Sequence, residues 1–134
     1  MTDMIDSSIW VDSIRTGSPE ALRRQTKAII MDPDSAISEP IVFELLRAVP
    51  KRDRVRAEAL LSTVPLLATP PDLWLKAKTL GQKCVDAGTL PPAIDLLIAQ
   101  VCLHHKVRIT TFDNHFLQIA KVSPLQVNLL MRAK

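Results

Sequence analysis

At 134 residues, with 47% hydrophobic and 23% charged side chains, the chain has the length of one domain and an ordinary globular composition, which excludes disordered and fibrous classes. A net charge of +3 permits an anionic partner such as nucleic acid without requiring one. No run approaches the roughly 18–20 apolar residues of a membrane span, and the start lacks a basic-then-apolar leader, so a cytoplasmic protein with no membrane association is expected. Cys84 and Cys102 fit no zinc spacing and are expected to be reduced thiols in the core.

In chain order, Met4-Ile5 predicts a very short first strand, followed by a helix that ends at Arg15-Thr-Gly17. Ser18-Pro19-Glu20 predicts a second helix to about Ile30, with Ser18 as its cap and Pro19 at the first helical position. After the Asp32-Pro-Asp34 turn, Ser35–Ser38 is long enough for a short strand, and Pro40 to about Val49 reads as a helix closed by Pro50. Lys51–Ser62 repeats the helical pattern with Val55, Ala59 and Leu60 on one face, and Val64–Ala68 is a candidate strand. Pro70-Pro71 opens a helix from Asp72 to about Asp86 that stops at Gly88, and Pro91-Pro92 opens another from Ala93 to about His105. Val107–Phe112 reads as a β-branched strand, Asn114–Lys121 as a helix and Leu125–Leu130 as a final strand. Helices separated by short apolar strands imply a single α/β domain over 1–134, its central, mainly parallel sheet flanked by helices.

Several acids stand in apolar company. Asp6 follows Met4-Ile5, Asp95 is the lone charge between Leu90 and Leu103, and Glu44 shares its helix with Ile41, Leu45 and Ala48. An unpartnered buried carboxylate costs several kcal/mol, so each requires compensation. From Asp95 a helix descends roughly 15 Å, and the strand from Val107 returns roughly 16 Å, which brings Asp113 back beside Asp95. In a parallel sheet Asp6 ends on the same edge, where open α/β sheets bind ligands, and Glu44 has reach to it. Two like charges 4 Å apart repel by about 4 kcal/mol at an effective dielectric near 20. A divalent cation relieves this, and an all-oxygen donor set favours Mg²⁺ or Mn²⁺ over zinc. That is the layout of metal-assisted phosphodiester hydrolysis.

The blocks MIDSSIWVDSIR (4–15), SEPIVFELLR (38–47), PPAIDLLIAQ (91–100) and ITTFDNHF (109–116) resemble, in order, those of PIN-domain ribonucleases, particularly VapC-type toxins of toxin–antitoxin systems. The resemblance implies a PIN-like three-layer fold and a Mg²⁺- or Mn²⁺-dependent endoribonuclease. It implies that Asp6, Asp95 and Asp113 hold the metal, that Glu44 holds it or orients its water, and that Thr111 and Ser7 support the site. It further implies an RNA substrate, a VapB-like antitoxin and a homodimer. The alternative is a PIN-like module that keeps its acids but only binds RNA or protein. His115 stands where an acid or Asn completes a second metal shell, so it is assigned to a phosphate of the RNA, as are Arg52, Arg54 and Arg56.

The local readings compete. Asp6 and Asp113 each precede a helix and Asp is a favoured cap; Glu44 has Arg47 as a potential structural partner. Asp3 and Asp12 read as solvated or helix-surface acids, Ser8 as a turn former, His104-His105 as a basic helix end, and Trp10 and Trp74 as core or interface residues.

Overall fold

Strand β1 (Asp3–Ile5) is only three residues long, yet it is the centre of the sheet, and Met4 and Ile5 are fully buried. A strand paired on both sides and covered on both faces is apolar where it is buried, which is why Met4 and Ile5 stand there. Helix α1 (Ser7–Ile14) follows at once, and its Trp10, also fully buried, returns an indole N–H to the Ile5 carbonyl at 3.1 Å. The computed structural model describes residues 1–134.

Helix α2 (Glu20–Ile30) leads to β2 (Ser35–Ser38), and α3 (Glu39–Ala48) begins immediately beyond it. Pro19 rather than Ser18 occupies the cap position of α2, and no side chain caps it. A 3₁₀ turn (Lys51–Asp53) precedes α4 (Arg54–Leu61), so the expected single helix is two elements. Its inward face is Ala57 and Leu61, while Val55 is 82% exposed. Apolar side chains are spread around α4, so its periodicity points to no single face. Edge strand β3 (Leu66–Leu67), α5 (Leu73–Asp86), α6 (Ala93–His105), β4 (Arg108–Thr111), α7 (His115–Ala120) and edge strand β5 (Val127–Leu129) complete the chain. Gly88 takes a positive φ of 87° where α5 ends, a conformation that costs other residues more.

The sheet order is β3-β2-β1-β4-β5 and every pairing is parallel, so the mainly parallel sheet expected is entirely parallel, flanked by seven helices. Met4 stands opposite Ala36 on one side and Ile109 on the other. The core around it includes Ile9, Ile37, Ile41, Ile98, Phe116 and Ile119. Cys84 and Cys102 are buried free thiols, as expected. No helix is long and apolar enough to cross a membrane. The chain runs from β1 outward to β3, then returns to place β4 against β1 before running out to β5. The order therefore reverses between β1 and β4, and such a switch point opens a crevice at the carboxyl ends of the two strands.

Candidate metal centre

The crevice is where the acids gather. Asp6 is the first residue past β1, and its backbone N–H still bonds the Thr110 carbonyl at 3.0 Å, so its side chain is launched from the last rung of the sheet. Only 3% of Asp6 is exposed. Asp6 occupies the cap position of α1 but its side chain makes no capping bond; its Oδ2 accepts from Thr111 Oγ1 at 2.7 Å and from Ser8 Oγ at 2.8 Å. Thr111 Oγ1 also accepts the Asp113 N–H at 2.8 Å, so one hydroxyl ties the acid after β1 to the acid after β4. Ser8, expected to be a turn former, bonds Asp6 and accepts the Phe112 N–H at 3.2 Å. The one local signal of this role is its spacing two residues past Asp6, inside the first turn of a helix.

Asp95 enters from the first turn of α6 and is 6% exposed, and the structure brings it beside Asp113. Glu44 projects from α3 towards the same edge. Its partner is not Arg47 but Ser7, whose Oγ donates to Glu44 Oε1 at 2.5 Å. Burial above all, and then the charges of Asp6, Asp113 and Glu44, push the Asp95 carboxyl up to about 7, with His115 opposing. Burial likewise raises the Asp6 carboxyl, offset in part by the Thr111 and Ser8 hydrogen bonds. Thr111→Val is therefore expected to raise the Asp6 carboxyl further through loss of the supporting bond, while Thr111→Ser retains it; an NMR titration of the Asp6 carboxyl in the two variants checks this.

The remaining predicted residues fall elsewhere or serve differently. His115 lies over the acids rather than away from them, with Nδ1 3.0 Å from Asp113 Oδ2 and 3.5 Å from Asp95 Oδ2. Arg52, Arg54 and Arg56 are not brought to the acids: Arg56 donates to the carbonyl of Ile14 at 2.7 Å, at the far end of α1, Arg54 to Val49, and Arg52 pairs with Asp53. Asp12 is buried, not solvated, and pairs at 2.7 Å with Arg132, whose guanidinium also covers the Phe112 ring. Asp3 is held by Arg108 through two hydrogen bonds. Trp74 is 75% exposed, and His105 bonds the Ala68 carbonyl, leaving the histidine pair outside the site. A cleft of about 710 Å³ opens alongside Asp113, walled by Ser8, Phe112, Asn114 and the tail Leu129–Arg132.

The donor set fits a divalent cation. Asp95 Oδ2 is buried without any hydrogen-bond partner, and three further carboxylates face the same rim. Left alone, that oxygen pays its full desolvation cost; a hard cation removes it.

Fold and site thus define a parallel α/β protein with a carboxylate rim at its switch point. The PIN domain family matches residues 4–122, and the chain belongs to that family. Among solved structures it is similar to DNA-bound VapBC from Salmonella typhimurium, with a TM-score of 0.73 and 17% identity over 95% of this chain and 96% of that one. It is similar to VapBC2 from Rickettsia felis bound to a promoter DNA fragment, with a TM-score of 0.71 and 17% identity over 95% and 97%. It is also similar to Mycobacterium tuberculosis VapC20, a toxin that cleaves the sarcin-ricin loop, with a TM-score of 0.64 and 17% identity over 87% and 93%. At these identities the likeness is one of fold. No curated protein sequence matches the chain.

Proposed function

We propose that the protein is a divalent-cation-dependent endoribonuclease and the toxin of a VapBC-type pair. The observation that carries this reading is Asp95, a buried carboxylate with an unpartnered oxygen among three other acids at the switch point. Asp6, Asp95 and Asp113 would hold Mg²⁺ or Mn²⁺, and a bound ion would supply Lewis-acid stabilisation of the phosphate and a lowered pKa for water. Thr111 and Ser8 fix the Asp6 carboxylate, and Ser7 holds Glu44 towards the rim, where its carboxylate orients and accepts a proton from the attacking water. The cleft beside Asp113 accommodates the RNA strand. With Arg52, Arg54 and Arg56 engaged elsewhere, they attract RNA only as part of the positive field of the surface.

The likeness to VapBC complexes supports a VapB-like antitoxin as partner; a homodimer in the cytoplasm belongs to the same proposal. The exposed apolar side chains Phe43, Trp74 and Leu75 offer surface for such contacts. Incubating the purified protein with total RNA tests the activity. Discrete cut ends are expected with Mg²⁺ or Mn²⁺ and none after chelation. RNA that is retained but uncut under every condition would establish the silent binding module instead.

A further inference from the structure

One side chain at the rim is not an acid. His115 opens α7 two residues past Asp113, and its backbone N–H donates to Asp113 Oδ1 at 2.9 Å, which locks acid and imidazole into one local turn. That bond engages Oδ1 and leaves Asp113 Oδ2 turned to the site. His115 Nδ1 lies 3.0 Å from this oxygen and 3.5 Å from Asp95 Oδ2. Neither approach is a hydrogen bond, since Nδ1 and Asp95 Oδ2 are both buried and both without a hydrogen-bond partner. An imidazole recruited only as a counter-charge would aim its N–H at one carboxylate oxygen and satisfy it. Here the nitrogen and the oxygens are close without a hydrogen bond between them, which leaves them available to a shared ion.

The spacing agrees. One donor atom from each of Asp95, Asp113 and His115 lies within 4.8 Å of the others. Opposite donors around a single ion with bonds of about 2.1 Å stand about 4.2 Å apart, so a shift of a few tenths of an ångström at each side chain closes the set. Asp95 supplies the independent sign of a ligand: its side chain is 8% exposed and its free oxygen points into the cluster.

Resting on the metal-dependent reading of the rim, we infer that His115 is a nitrogen ligand of its cation, and that this donor set selects a first-row transition ion such as Mn²⁺ over Mg²⁺. Mg²⁺ is hard, dehydrates reluctantly and gains little from imidazole. Affinity for nitrogen donors rises along the first-row series, so a single imidazole among carboxylates tilts the site away from Mg²⁺. The preference is then a property of residue 115, while the capacity to bind a cation at all belongs to the acids.

Pulsed electron paramagnetic resonance of Mn²⁺ added to the full chain reads nitrogen ligation directly. The expected result is a ¹⁴N modulation that converts to the ¹⁵N pattern when the protein is labelled with ¹⁵N-histidine, and that disappears in His115→Gln. Calorimetry with Mn²⁺ and Mg²⁺ is expected to show a roughly 10–100-fold loss of Mn²⁺ affinity in His115→Gln, with Mg²⁺ affinity little changed. Saturable Mn²⁺ binding without nitrogen modulation overturns the assignment of His115 and leaves the metal-dependent reading standing. Absence of saturable Mn²⁺ binding in the unaltered protein overturns both. The labelling arm needs no substitution, so it decides the matter even if the variant fails to fold.

Discussion

Asp95→Asn is expected to reduce RNA cleavage by about 10²–10³-fold or more, and at the same time to make the cation-free protein more stable at pH 8. The second effect follows from linkage. In the folded chain the carboxyl titrates at about 7, against an ordinary 3.8, because burial and three neighbouring acids disfavour its charge. The folded state therefore holds a proton that the unfolded state has already released, and stability falls as pH rises from about 4 to about 7. At roughly 1.4 kcal/mol per pH unit the full penalty approaches ~4 kcal/mol, and solvent at the open side of the rim screens it to about 2–3 kcal/mol. Asn carries no charge to penalise. Urea unfolding in chelator is expected to show the unaltered protein weakening between pH 5 and pH 8 and Asp95→Asn holding level. Added Mn²⁺ restores the unaltered protein and leaves the variant where it was. An Asp95→Asn protein no more stable than its parent at pH 8 would contradict the electrostatic account. Asp6→Asn shares the loss of cleavage but gains less stability, because Thr111 and Ser8 already donate to that carboxylate.

The meeting of Asp95 with Asp113 was legible because it depends on two constants, the rise of a helix and the rise of a strand. The length of α6 and the length of β4 nearly cancel, and no knowledge of side-chain packing is needed. The position of Asp6 followed from parallel strands sharing one carboxyl edge. Ser8 was legible only in part: its spacing from Asp6 was a local signal, but Phe112, whose N–H it also accepts, lies 104 residues away and leaves no local pattern. Asp12 failed for the same reason: its buried pair with Arg132 exists only because the tail folds back over α1. The inward face of α4 was misplaced by a different cause. Val55, Ala57, Ala59, Leu60 and Leu61 are spread around the whole helix at about 100° per residue, so apolar periodicity marks no single inward face there. His115 was assigned to a phosphate because it stands where an acid or Asn completes a second metal shell; its place beside Asp113 and Asp95 is set by an α7 that starts immediately after the Asp113 turn.

Trp10→Ala is expected to cost about 3–5 kcal/mol, a large share of the stability of a domain this size. The site depends on β1, and β1 has three residues with which to hold its place. Trp10 compensates for that shortness twice, by filling the core beneath the strand and by donating its indole N–H to the Ile5 carbonyl, one peptide before Asp6. The two contributions separate in Trp10→Phe, which keeps much of the apolar volume and removes the donor. A loss of about 1–2 kcal/mol is expected there, made up of the missing hydrogen bond and a small cavity. Urea midpoints of both variants, with amide exchange at Met4 and Ile5, measure the difference. If Trp10→Phe proves as damaging as Trp10→Ala, the hydrogen bond rather than packing anchors the strand. In that case Mn²⁺ affinity should fall in Trp10→Phe as well, since the same peptide sets the direction in which Asp6 leaves the sheet.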